Sequence, residues 1–231
     1  MILLRSGLFA LWMIAVTLVE GMLALPLLLA PRPVVARFCR FWAASVLWGL
    51  KVFAGIGMRV TGAVPRAPVL VASKHMSMWD TLALYVVLGD PGIVLKRSLL
   101  LVPFFGWYLA RSTAIPIDRA AGASALRSMA RGAQAVLAEG RPVVIFPEGT
   151  RQKPGAAPDY KPGVAGLYGQ LGVPCVPVAL DSGAFWQGFW KRPGTITLAF
   201  LEPIPPGLKR GAFMPILEER IEAATNALLN P

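Results

Sequence analysis

Apolar residues run almost unbroken through the first stretch of the chain, MILLRSGLFALWMIAVTLVEGMLALPLLLA, where Glu20 and Pro26 interrupt them. A second apolar stretch, FCRFWAASVLWGLKVFAGIGM, occupies 38–58, and Pro31-Arg32-Pro33 separates the two. A bilayer-spanning helix needs about 20 apolar residues. The first stretch reaches that length only by placing Glu20 near mid-helix, where a carboxylate is costly. The second carries Arg40 and Lys51 near its ends, from which long basic side chains reach back to the headgroups. Three arrangements fit: a cleaved signal peptide, two full spans, or a helical hairpin dipping into one leaflet. Arg5 and the apolar core at 8–19 favour the first, but no clear A-x-A cleavage site follows. The third suits the pattern best, because Arg32, Arg37, Arg40 and Lys51 then stay near anionic headgroups. Residues 1–57 are therefore expected to form a membrane-associated hairpin, and 58–231 the domain that follows it.

Beyond that point the pattern alternates between strand and helix. Short strands are predicted at 58–62 and 68–73, a helix at 78–88, a strand at 92–96, a helix or compact turn at 102–111, and a strand at 114–118. Leu126, Met129, Ala130, Ala133, Val136 and Leu137 recur at helical spacing, with Gly140 placed as a C-cap. PVVIF at 142–146 and VPCVPVAL at 173–180 have the composition of buried strands, with a helix predicted between them at 163–172. A strand at 195–201 and an amphipathic helix at 213–229 complete the chain. Such alternation argues for an α/β domain with a sheet at its centre.

Composition sharpens the membrane reading. Hydrophobic residues make up 55% and charged residues 15%, against about 25% charged in soluble domains. The formal charge is +11, from 23 basic and 12 acidic residues, which points to anionic lipid, a phosphorylated substrate or nucleic acid. No nucleic-acid recognition motif accompanies the charge, so that partner is not expected. Seven tryptophans suit a membrane interface. Cys39 and Cys175 lie far apart and read as two reduced, buried thiols. One histidine and two cysteines offer no zinc site.

That one histidine, His75, stands in SKHMSMWDT, with Asp80 five positions on. On one regular helix the two would point about 140° apart. They can meet if His75 lies in the loop before a helix and Asp80 in its first turn. Ser77 is a good N-cap, and Ser77-x-x-Asp80 resembles a capping box with Asp in place of Glu. A carboxylate on one imidazole nitrogen fixes the tautomer and stabilises the imidazolium formed when the other nitrogen takes a proton. The plainer reading is that Asp80 only caps the helix and His75 is a turn residue. No Gly-x-Ser-x-Gly is present, so a serine nucleophile is not indicated, and any attacking hydroxyl would belong to the substrate.

FPEGTR, at 146–151, follows the strand PVVIF directly. Pro147 and Gly149 make a tight turn at the strand's carboxyl end, where α/β proteins bind ligands. Arg151 could fork onto a phosphate or carboxylate, or be a solvated charge on an ordinary turn.

HMSMWD matches the H-x4-D motif, and FPEGTR the phosphate-loop motif, of the glycerolipid acyltransferases, in the same order and spacing. The region 96–119, with LKRSLLLVPFFGW and AIPIDR, and VPCVPV at 173–178 resemble two further blocks of that family. The likeness covers roughly 58–201 and is greatest to the family's bacterial 1-acyl-glycerol-3-phosphate acyltransferases. It implies a central mixed sheet flanked by helices behind the membrane-embedded hairpin. It also implies a function: transfer of an acyl group from acyl carrier protein or coenzyme A to the free hydroxyl of lysophosphatidic acid, forming phosphatidic acid without cofactor or metal. His75 would then be the base and Asp80 its orienter. Arg151, Lys96 and Arg119 would hold the acceptor phosphate, and Glu148, Gly149 and Thr150 would shape the acceptor site. Residues 173–178 would line or support the acyl side, or be plain core strand. The implied location is the cytoplasmic face of the inner (plasma) membrane, among anionic lipids.

Departures from the family pattern bear on particular residues. Lys74 stands where Asn is common, and could act on His75 or contact a phosphate. Thr113 and Pro116 replace a usual glycine and phenylalanine, which touches the role of Arg119. Lys161, in YKPG, is a further candidate for an anion contact. Another lysolipid acceptor, such as lyso-ornithine lipid, would make no obvious use of Arg151 and Lys96. A non-catalytic membrane adaptor would have no use for the His75/Asp80 pair, and a lipid hydrolase lacks a serine site.

Overall fold

The computed structural model describes residues 1–112, 114–118 and 122–230, with residue 123 described by its backbone alone. In chain order the strands are β1 (Ile56–Thr61), β2 (Leu70–Ser73), β3 (Gly92–Lys96), β4 (Ala114–Ile117), β5 (Val143–Ile145), β6 (Cys175–Leu180), β7 (Trp186–Gln187), β8 (Trp190–Lys191) and β9 (Gly194–Phe200). The helices are α1 (Ile2–Leu23), α2 (Arg32–Gly49), α3 (Met78–Leu88), α4 (Phe105–Arg111), α5 (Gly122–Ala138), α6 (Gly163–Leu171), α7 (Ser182–Phe185) and α8 (Arg210–Leu229).

Apolar runs without a polar face must be buried on both sides. β2, β5 and β6 are such runs and are buried at every position. They form the middle of a seven-stranded sheet of order β1-β9-β6-β2-β5-β3-β4. Every neighbouring pair is parallel except β6 and β9, so the sheet is mixed, as the resemblance implied. β2 pairs with β5 through Leu70↔Val143 and β5 with β3 through Gly92↔Val143. The carboxyl ends of these parallel strands therefore share one edge, and their loops share one crevice.

α3 and β3 fall on the ranges predicted from sequence. Pro31 and Pro33 do more than separate two apolar stretches: they start α2, where a missing N–H costs nothing. A 3-10 turn at Arg97–Leu101 precedes α4. Residues 182–191, unassigned from sequence, form α7 and the separate β7–β8 hairpin.

α1 and α2 pack against each other and against the sheet domain. Trp12 Nε1 donates to Ser45 O at 3.0 Å, and Trp42 Nε1 to Thr17 Oγ1 at 3.2 Å. Phe9, Val16, Ala43, Val46 and Leu50 share one hydrophobic cluster with Val71, Trp79 and Val178, so a single core crosses the boundary at residue 57. The opposite sheet face is covered by α5, α6 and α8, through Ala133, Leu167 and Phe213 among others. α1 has 22 residues, or about 33 Å, against a hydrocarbon thickness of about 30 Å. It is long and apolar enough to cross a membrane. Its unburied face carries Leu4, Leu11, Ile14, Leu18 and Met22, and Phe41, Trp48 and Val52 lie exposed on or just beyond α2.

The closest approach in this packing is at Gly49, where an added Cβ would lie 1.9 Å from Trp12 Cδ1. Gly49→Ala is therefore expected to cost about 1–3 kcal/mol, read as a lower unfolding midpoint of the detergent-solubilised protein. An unchanged midpoint would mean that the Trp12 indole moves aside freely.

Candidate active site

β2 ends at Ser73, and the chain turns through 74–77 before α3 begins. Ser77 caps α3 by accepting from Trp79 N at 3.1 Å, while Ser77 N donates to Asp80 Oδ2 at 2.9 Å. This capping box turns the Asp80 carboxylate back toward the loop that carries His75. Asp80 Oδ2 also accepts from Met76 N at 2.7 Å and pairs with His75 Nδ1 at 2.9 Å. Its Oδ1 accepts from Ser182 Oγ at 2.5 Å and from Ser77 Oγ at 3.2 Å. One fully buried carboxylate thus completes the cap of α3 and also bonds the imidazole.

A carboxylate on Nδ1 sets the tautomer with the proton there and leaves Nε2 with its lone pair. The imidazole ring stacks on Phe146 at 4.0 Å between centroids and 22° between planes. It keeps 13% of its side-chain surface accessible, on a cavity of about 1000 Å³.

The FPEGTR loop meets His75 because β2 and β5 are neighbours. Gly149 N donates to Phe146 O at 2.9 Å, closing a turn in which Gly149 takes φ 68°, a region open to glycine. Gln152 N donates to His75 O at 2.8 Å and ties the two loops together. Glu148 is buried, with Oε1 accepting from Lys74 Nζ at 2.7 Å. Lys74 Nζ also donates to Glu222 Oε1 at 2.7 Å, and Tyr160 OH donates to the same oxygen at 2.8 Å. Burial pushes the Glu148 carboxyl above its ordinary pKa, while Lys74 pulls it back. Burial, and then the Glu222 carboxylate, push the Tyr160 hydroxyl well up, so it stays a donor. Lys74, left open from sequence between acting on His75 and contacting a phosphate, is 2% exposed, and its ammonium donates to two carboxylates.

The cavity gathers His75, Lys96, Glu148, Gly149, Thr150 and Arg151 on one lining, with Asp80 behind His75. Arg119 lies outside the described residues. Lys161 lines the cavity too, with Nζ 2.5 Å from Asp159 Oδ2. The same cavity is lined by Phe38 and Trp42 of α2, Leu82 of α3, Tyr108 of α4 and Gly21 of α1. β6 lies buried between β2 and β9, and 173–178 contribute no lining; the next residues matter instead, since Ser182 holds Asp80. Sequence reading missed Ser182, Glu222, Tyr160 and the cavity-lining Arg210. Only Arg210 carried a signal, as a cation at the start of the last helix.

The family model described as Acyltransferase matches residues 57–181. The chain belongs to the acyltransferase family. At 38% identity over 203 residues it resembles the 1-acyl-sn-glycerol-3-phosphate acyltransferase of Pseudomonas aeruginosa, covering 84% of this chain and 77% of that protein. The 1-acyl-sn-glycerol-3-phosphate acyltransferase alpha of Ovis aries is 31% identical over 186 residues, covering 76% of this chain and 64% of that protein. In fold, the acyltransferase matches the 1-acyl-sn-glycerophosphate (LPA) acyltransferase PlsC of Thermotoga maritima at TM-score 0.81 and 19% identity, covering 100% of this chain and 97% of that one. As an acyltransferase, the protein sets a carboxylate-paired imidazole on a cavity lined both by apolar side chains and by the cations Lys96, Arg151, Lys161 and Arg210.

Proposed function

We propose that this acyltransferase moves a fatty acyl group from acyl carrier protein or acyl-coenzyme A to the free sn-2 hydroxyl of lysophosphatidic acid, giving phosphatidic acid for phospholipid synthesis. The observation that carries this reading is the 2.9 Å pair between His75 Nδ1 and Asp80 Oδ2, set on a cavity lined by apolar side chains and by Lys96 and Arg151. The names of the relatives support the acceptor. His75 Nε2 takes the hydroxyl proton as the oxygen attacks the thioester carbonyl. The C–O bond forms, the C–S bond breaks, and the leaving thiolate recovers the proton from the imidazolium. Asp80 stabilises that imidazolium. No acyl-enzyme intermediate is required.

Arg151 and Lys96 hold the acceptor phosphate in this reading, with Arg119 a third candidate. Glu148, Gly149 and Thr150 shape the acceptor side. Residues 1–57 anchor the enzyme at the cytoplasmic face of the inner membrane, where anionic lipids meet its net charge of +11. Residues 58–231 carry the chemistry.

The test is kinetic. Arg151→Ala, assayed with lysophosphatidic acid and a long-chain donor, should raise KM for the acceptor by about 10–100-fold, the worth of one charge-assisted bond. Its activity toward a phosphate-free lysolipid should stay near wild type. Equal losses on both acceptors would remove Arg151 from phosphate binding. No phosphatidic acid from the wild type with either donor would overturn the acceptor.

A further inference from the structure

We infer that the tip of the β7–β8 hairpin is a second membrane contact, in which Phe189 and Trp190 sit in the interface of an anionic bilayer. Phe189 is 48% and Trp190 50% exposed, and their rings meet edge to face at 5.5 Å. The hairpin stands outside the main sheet, paired through Trp186↔Lys191 and Gln187↔Trp190. Gly188, at φ 55°, opens the two-residue turn.

What distinguishes this tip from an ordinary exposed turn is the fate of its carbonyls. Lys191 is 4% exposed, and its Nζ donates to Gly188 O at 2.6 Å and to Phe189 O at 2.9 Å. In water those carbonyls need no lysine. Against lipid, a carbonyl without a partner is costly, and internal satisfaction is the remedy. The ammonium itself is roofed by Trp186, 4.5 Å from the ring centroid. Burial lowers the pKa of Lys191 to about 8. The turn thus hides its polar atoms inward and turns its aromatic rings out.

The base of the hairpin is also packed against the buried side of α1. Lys191 N donates to Ser6 Oγ at 2.9 Å, and Trp186 packs edge-on against Phe9 at 5.3 Å. Arg5 and Arg192 adjoin these contacts in sequence and suit anionic headgroups. Aromatic rings beside basic residues are the composition of a membrane interface.

The inference rests on the membrane association of α1, and the experiment separates the two. The full chain is reconstituted into phosphatidylcholine–phosphatidylglycerol vesicles, with and without brominated acyl chains. Emission of Trp190→Phe is subtracted from wild type, isolating one of seven tryptophans. The Trp190 component should be quenched roughly twofold or more by brominated chains and shielded from aqueous iodide. Quenching by iodide and not by bromine, while the remaining tryptophans respond to bromine, would overturn the inference and leave the tip for a protein partner. No bromine quenching of any tryptophan would overturn the membrane reading of α1 as well.

Discussion

His75→Ala is expected to lower acyl transfer by about 10²–10⁴-fold, the range that positioned acid–base catalysis contributes. No second histidine exists to substitute for it. The variant should still fold. Asp80 keeps its bonds from Met76 N, Ser77 N and Ser182 Oγ without His75, so the start of α3 survives. Initial rates of phosphatidic acid formation with both thioester donors, beside an unfolding midpoint, check both halves. A variant that keeps more than about a tenth of the wild-type rate would exclude His75 as the base. Asp80→Asn is the less discriminating change. It puts an amide nitrogen where an oxygen receives hydrogen bonds in the interior, and a buried donor left unpaired costs about 1–3 kcal/mol. Activity and stability would fall together, so only the His75 variant separates chemistry from capping.

The same pair shows how much of the site could be read from the chain alone. His75, Ser77 and Asp80 lie within six positions, so cap chemistry was enough to bring them together. The apolar runs of β2, β5 and β6 announced themselves because strands buried on both faces have no polar periodicity to confuse them. Ser182 was invisible, since nothing local says that a serine 102 residues away will reach the Asp80 carboxylate. The β7–β8 hairpin was missed for a related reason. Its strands are two residues each, and the lysine that holds its turn reads in sequence as a solvated charge. The role of Lys74 stayed open for the same reason: its partners Glu148 and Glu222 lie 74 and 148 residues away, and only packing brings them to its ammonium.

Lys74→Met carries the second large expectation, a loss of about 3–5 kcal/mol, because removing one partner leaves buried charge uncompensated. Glu148 would suffer most. Its Oε2 has no hydrogen-bond partner among the described residues, and burial already raises its pKa. Without Lys74, the charge of Glu222 and the loss of the ammonium both push the Glu148 pKa further up. The folded variant then holds a proton that the unfolded chain, with an ordinary value of 4.5, gives up. Stability therefore falls as pH rises from that ordinary value through the raised folded one, more steeply than in wild type. Unfolding midpoints taken across mildly acidic to neutral pH measure the slope directly. Adding Glu148→Gln to Lys74→Met removes the ionisable group, so the steep pH dependence should vanish and part of the midpoint return. If the double variant keeps the steep slope, the ionisation responsible is not that of Glu148. If Lys74→Met alone behaves as wild type at every pH, the triad is not what holds the FPEGTR loop against His75, and that restraint falls to the bond from Gln152 N to His75 O.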